Sequence, residues 1–302
     1  MNKGEFFAIA TAVCWTITSM SFEYAGKRLG IYVLNIFRLS FALISLSIIG
    51  VILYGEILPL NHPVNIWIFL SLSGFIGFFL GDLFLTNAFV RIGSRISMLI
   101  FSLSPPLTAI LSWVFIKETM SIIKITGMLI TLGGIVVVIL NREKKTAENK
   151  KPFSLIPSIG ILFAFLGALG QSAGLVLSKV SIADIEAFSA TQIRIIPALT
   201  GFVVLTLIKS RYGDFRKTVL KQNKKGMLVL LCGSVFGPLL GVTASLQAIK
   251  YTNMGVASTL MSITPILIII PSIIFFKERV KYMEVAGAFL AVGGIAMLFL
   301  SH

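Results

Sequence analysis

Apolar stretches of about 20 residues follow one another along almost the whole chain, and this spacing constrains the fold more than any motif does. A helix needs roughly 20 residues to cross a hydrocarbon core about 30 Å thick. Uninterrupted runs predict helices over 5–24, 31–53, 66–90, 96–116, 122–140, 157–179, 187–208, 226–249, 257–276 and 282–300. Lipid offers no water to backbone N–H and C=O groups, so only helices or a closed barrel can cross it, and the alternating pattern of barrel strands is missing. The expected fold class is an all-α integral membrane protein of ten transmembrane helices.

Hydrophobic residues make up 56% of the 302 positions and charged residues 13%, against about 25% charged in an ordinary soluble domain. The formal net charge of +14 would suggest nucleic acid in a soluble protein, but Lys and Arg fall between the apolar runs. Lipid head groups and topology account for them there, so membrane lipid is an expected partner and nucleic acid is not. Cys14 and Cys232 lie inside predicted helices without metal-like spacing and read as small packing residues. No metal or cofactor is expected.

Sliding the chain against itself reveals a duplication. At an offset of 160 residues Ile116-Lys117-Glu118-Thr119 falls on Phe276-Lys277-Glu278-Arg279, and Pro105 meets Pro265. Without a gap, Gly77 and Gly81 meet Gly237 and Gly241, Gly127 meets Gly287, and Gly133-Gly134 meets Gly293-Gly294. Nearer the start the offset is 156, where Gly4 meets Gly160, Thr16 meets Ser172 and Arg38 meets Arg194. The opening stretch, Phe6 to Met20 after Lys3, has the look of a signal peptide, but this match gives it a counterpart in the sixth helix and it is expected to stay attached. The expected organisation is a first five-helix repeat over 1–140, a basic connecting loop over 141–156 and a second repeat over 157–302. Five crossings is odd, so the second copy enters from the opposite side. Inverted repeats of this kind are a common transporter architecture with the site between the halves.

The series Asn87-Ala88, Ser97, Ser104-Pro105, Lys117-Glu118 and Gly127 to Gly134 resembles the EamA pattern of the drug/metabolite transporter superfamily. It returns as Ala248, Ser258, Thr264-Pro265, Lys277-Glu278 and Gly287 to Gly294, so the two copies cover nearly the whole chain. The resemblance implies ten helices around a central cavity and transport of amino acids, other metabolites or drugs, usually outward across the cell's inner membrane.

Asp82 falls well inside the third predicted helix, where a carboxylate costs at least about 2.5 kcal/mol at the bilayer centre. It requires a partner, a proton or water. Its repeat position is Val242, so the shared fold does not demand the charge. Two readings stand: proton coupling or cation recognition, and a structural ion pair. Arg38 and Arg194 lie about two turns into equivalent helices, beyond easy snorkelling. They either bind an anionic group or gate the pathway, or else pair with a carboxylate or helix carbonyls, Asp82 being the first candidate partner for Arg38.

Trp15, Asn35, Asn87, Gln171, Ser172 and Gln247 complete the expected lining of a midplane cavity. Asn87 matches Gln247 at the 160 offset and Trp15 matches Gln171 at the 156 offset. Against this stands the use of polar side chains as interhelical glue, worth roughly 0.6 to 2 kcal/mol. Gly74, Gly77 and Gly81, with Gly167, Gly170 and Gly174, read as close-packing faces, and Pro105, Pro106 and Pro265, inside their helices, as bends and candidate hinges. Lys117-Glu118 and Lys277-Glu278 read as helix ends, and His62 and His302 as bystanders.

Counting Lys and Arg loop by loop puts both termini outside under the positive-inside rule, whereas the resemblance implies cytoplasmic termini. Both arguments place the termini on one face. With no nucleotide motif, alternating access of a small-molecule solute, by a monomer or homodimer, is the leading expectation. An intramembrane enzyme would require a nucleophile with a base, a metal cluster or a carboxylate pair at depth, and the sequence offers no His-Glu-x-x-His and no second deep acid. A scaffold or receptor without flux is the other rival.

Overall fold

The structure, a computed structural model, describes residues 3–117, 121–147, 155–179, 185–208, 223–251, 260–277 and 280–300. The expectations that fall on Glu118, Glu278, Arg279, His302, Ser258 and the basic residues of 209–222 lie outside them.

The described residues form helices and no strand. The first half comprises α1 (Lys3–Leu29), α2 (Ile31–Tyr54), α3 (Val64–Ile92), α4 (Ser94–Phe101, then Ser104–Ile116) and α5 (Ile122–Ala147). The second comprises α6 (Leu155–Lys179), α7 (Ala187–Ile208), α8 (Lys224–Ser234, Val235–Gly241 and Val242–Tyr251), α9 (Thr264–Leu267, then Ile269–Phe276) and α10 (Tyr282–Leu300). Among the described residues seven helices are long and apolar enough to cross a membrane, and the shorter apolar segments Ile125–Leu140, Thr264–Phe276 and Tyr282–Met297 lie in α5, α9 and α10.

Two boundaries differ from the hydropathy reading. Helix α1 continues through Lys27 and Arg28, whose charges suit the negative end of the helix dipole, to Leu29. Helix α5 runs on through Asn141-Arg142-Glu143-Lys144-Lys145 to Ala147 and α6 begins at Leu155, so the connection expected over 141–156 is helical at both ends. Apolar runs mark where a helix is in lipid, not where its hydrogen bonding stops, and most of these charged residues are good helix formers.

The tightest connections are single glycines. Gly30 joins α1 to α2 at φ 82°, ψ 157°, and Gly93 joins α3 to α4 at φ 84°, ψ 158°. A side chain is strained in that region of backbone space, which glycine alone enters readily. Glu23 on α1 secures the second turn by accepting 2.6 Å bonds from both the backbone N–H and the hydroxyl of Ser94.

The molecule is built inside out relative to a soluble protein. Large side chains such as Ile52, Phe115 and Phe275 lie 73–75% exposed. Besides bulky side chains such as Leu34, Leu70 and Phe202, the interior holds small and polar residues: Ala8 and Ala164, Ala42 and Ala198, and Ala88 and Ala248 are repeat-equivalent pairs, and all six are fully buried. Since lipid is as apolar as leucine, helices gain little by burying bulk and associate through close backbone approach and hydrogen bonds.

The packing follows the duplication. Helix α1 packs on α8 as α6 packs on α3, while α2 packs on its equivalent α7 and α5 on its equivalent α10. Along the last pair Gly127 meets Gly294, Gly134 meets Ala291 and Gly287, and Val138 meets Gly287. Numbers that rise on one helix fall on the other, so these equivalent helices are antiparallel. The two halves therefore run in opposite directions where they meet. In each Gly-Gly pair only the second glycine packs: a Cβ on Gly134 would sit 2.5 Å from the Ala291 nitrogen and one on Gly294 2.5 Å from the Gly127 carbonyl, while Gly133 and Gly293 face open space.

Candidate functional site

Three interruptions of regular helix recur at the 160 offset. The first is a π-helical segment, Phe75–Gly81 in α3 and Val235–Gly241 in α8. Its wider turn re-aims the side chains that follow, and such segments are frequent at functional sites. The second is a turn, at Ser102–Leu103 between the two segments of α4 and at Ser262–Ile263 immediately before α9. Pro105 and Pro265 thus stand in the first turn of a restarted helix, not in the interior of a continuous one. A missing N–H is harmless there because it would have no helical partner. The third is the left-handed residue ending each restarted segment, Lys117 at φ 59° and Lys277 at φ 52°. These caps end the helices where the Lys-Glu pairs were read as ends.

Asp82 stands immediately after the first π segment and forms an ion pair with Arg38 of α2. The side chains are 17% and 10% exposed. Arg38 Nε also donates to Asn35 Oδ1 at 3.0 Å, and its guanidinium lies 5.4 Å from the centre of the Phe22 ring. Fully buried Asn35 donates to Ile31 O at 2.8 Å and to Thr86 Oγ1 at 3.0 Å, and Thr86 in turn donates to Asp82 O at 2.6 Å. Four side chains on α2 and α3 thus satisfy one another, as low dielectric demands.

Arg194 on α7 is the repeat equivalent of Arg38 but is held differently. Its guanidinium stacks 4.1 Å from the centre of the Phe78 ring, and its Nε and one Nη are buried without a hydrogen-bond partner. Gly74 of α3 lets the Arg194 backbone close in, and the Nη2 atom would lie 3.5 Å from a Cβ placed on Gly77.

Gln171 on α6 borders the same space, its Oε1 lying 3.7 Å from that Cβ position and its backbone nitrogen 3.2 Å from one on Gly81. Trp15 takes the equivalent place on α1, its ring 3.1 Å from a Cβ on Gly241. The repeat-related pair thus lies against repeat-related glycines that end the two π segments. Ser172 is fully buried between α4 and α6, donating to Ser104 O at 2.9 Å and lying 3.0 Å from its hydroxyl. Its place is helix-to-helix contact. Half-buried Asn87 donates to Leu83 O at 2.7 Å, and Gln247 is half-buried on α8. The structure thus gathers Arg38, Asp82, Asn35, Arg194 and Gln171 around α3, with Trp15 and Gln247 on the α1 and α8 side.

Two buried acids escaped the sequence reading, which counted Asp82 as the single deep one. Glu23 is 2% exposed and also pairs with Lys27 at 2.5 Å, and Glu284 is 4% exposed and pairs with Arg95 at 2.5 Å, tying α4 to α10. Both stand close to helix ends, where acids look like ordinary head-group charges. The signal available was the Glu23-Lys27 spacing of four, which puts the two on one helix face. Among the described residues no three His, Cys, Asp or Glu side chains gather to hold a metal.

No curated protein matches the chain at a significant level. A solved crystal structure aligns over 98% of this chain and 96% of its own, with a TM-score of 0.63 and 16% identity, a likeness that bears on the fold alone. The EamA-like transporter family matches twice, over residues 2–140 and 158–300, nearly the whole of each half. With its repeated apolar helices and two matched halves, this multi-pass membrane chain belongs to the EamA-like transporter family.

Proposed function

We propose that the chain is a secondary transporter that crosses the inner membrane ten times, α5, α9 and α10 included, and exports a small metabolite, such as an amino acid, or a drug by alternating access. The observation that carries this reading is the placement of one acid and two repeat-related arginines on and around the α3 π segment, between halves that run in opposite directions. Charge so deep has no use in packing that apolar residues would not serve better, and it marks a solute or ion pathway by default. Alternating access follows from the inversion: the halves exchange roles, and a shape open to one face converts into its counterpart open to the other. The breaks at Ser102–Leu103 and Ser262–Ile263, just before Pro105 and Pro265, are where α4 and α9 can bend.

In this reading Asp82 carries the coupling proton. Protonated, it releases Arg38; ionised, it holds it, so α2 and α3 have two pairing states for a proton gradient to bias. The test is solute flux into liposomes holding the purified protein, with and without a pH gradient, across amino acids, nucleosides and cationic drugs. Wild-type flux should be saturable, independent of ATP and driven by the gradient, and Asp82→Asn should lose the gradient dependence while remaining folded. Gradient dependence that survives in Asp82→Asn removes Asp82 from coupling, and binding without flux favours a receptor or scaffold.

A further inference from the structure

Charge bookkeeping around α3 leaves one positive charge over. Arg38 and Asp82 cancel in direct contact. Arg194 has Phe78 under its guanidinium face and no hydrogen-bond acceptor for its buried Nε and Nη. A cation over a ring recovers part of what a buried guanidinium loses on leaving water, but a ring accepts no in-plane N–H. The duplication supplies the reason for the vacancy: the second-half position equivalent to Asp82 is Val242, so the carboxylate that serves Arg38 has no copy for Arg194. Glycine at 77 leaves room for about one methyl group beside the unpartnered Nη2, bordered by the Gln171 amide oxygen.

Resting on the transporter reading above, we propose that Arg194 is the residue that binds the solute, through a carboxylate group. The substrate class is then small solutes bearing one free carboxylate, such as amino acids and monocarboxylates, rather than cationic drugs or nucleosides. One surplus positive charge calls for one singly charged anionic group; a dianionic phosphate ester would leave the site overcharged by one in the other sense. The planar guanidinium presents paired N–H groups that match the two oxygens of a carboxylate. Bound there, the solute's carboxylate satisfies the orphaned donors and neutralises the guanidinium locally, and a simple monocarboxylate also makes the cluster neutral as a whole.

The test uses the purified full-length protein, in detergent for thermal-shift binding and in liposomes for flux. The probes are the standard amino acids and short aliphatic and aromatic monocarboxylates, each against its primary amide, with nucleosides and cationic drugs alongside. At least one carboxylate should raise the melting temperature and be transported while its amide does neither. Arg194→Gln should weaken that binding by roughly 30-fold or more, with Arg194→Lys intermediate. Arg194→Met should raise the melting temperature of the empty protein, because it removes an uncompensated charge; a purely structural arginine would give a fall. Carboxylates that bind Arg194→Gln as tightly as wild type overturn the inference, as does transport confined to amides, nucleosides or cations. Carboxylate binding without flux leaves the anion site standing and removes the transporter reading instead. Neither binding nor flux with any probe removes both.

Discussion

At the scale of single residues, charge in a low-dielectric interior governs the outcome. Removing one partner of a buried ion pair strands the other, so Asp82→Ala should destabilise the protein by about 3–5 kcal/mol. The double variant Arg38→Met with Asp82→Leu should recover most of that loss, which thermal unfolding in detergent would measure. Ser172→Ala removes one interhelical bond and should cost only about 0.6 kcal/mol. The same logic explains what the residues disclosed in advance. Arg38 and Asp82 could be matched because both lay too deep to be left alone, and the pair formed. Glu23 and Glu284 could not, since their burial depends on the turn at Gly93 that carries Ser94 and Arg95 to them, and hydropathy is blind to such a turn.

At the scale of elements, glycine placement decides how closely helices meet and how sharply they turn. Gly93→Ala forces a side chain into a backbone region that costs about 1–3 kcal/mol, so it should lower stability and loosen the hold of Glu23 on α4. Gly134→Leu should separate α5 from α10, whereas Gly133→Leu should be tolerated, because only the first of these sites faces the partner helix backbone. Melting temperatures of the two variants side by side would check the contrast. The repeated Gly and Pro positions were legible because helix breakers stand out in an apolar run. The π segments Phe75–Gly81 and Val235–Gly241 were not: over seven apolar residues, wider and ordinary helical winding bury much the same side chains. Pro105 and Pro265 marked a break in the apolar run, but not that the turns at Ser102–Leu103 and Ser262–Ile263 come before them.

At the scale of the molecule, inversion is the property from which the rest follows. The sequence suggests it through an expected five helices per repeat, and the antiparallel contact of α5 with α10 gives it geometric form. How the repeats share a solute was less legible, because Arg38 and Arg194 are equivalent in sequence while Asp82 breaks the symmetry for one of them. The most direct test of alternating access places a reporter beside the charged cluster. With Cys14 and Cys232 replaced by Ala, Gln171→Cys in proteoliposomes of known orientation should react with a membrane-impermeant maleimide applied to either face, in proportions that shift when solute is added. Reaction from one face alone under every condition, or from neither, would contradict it.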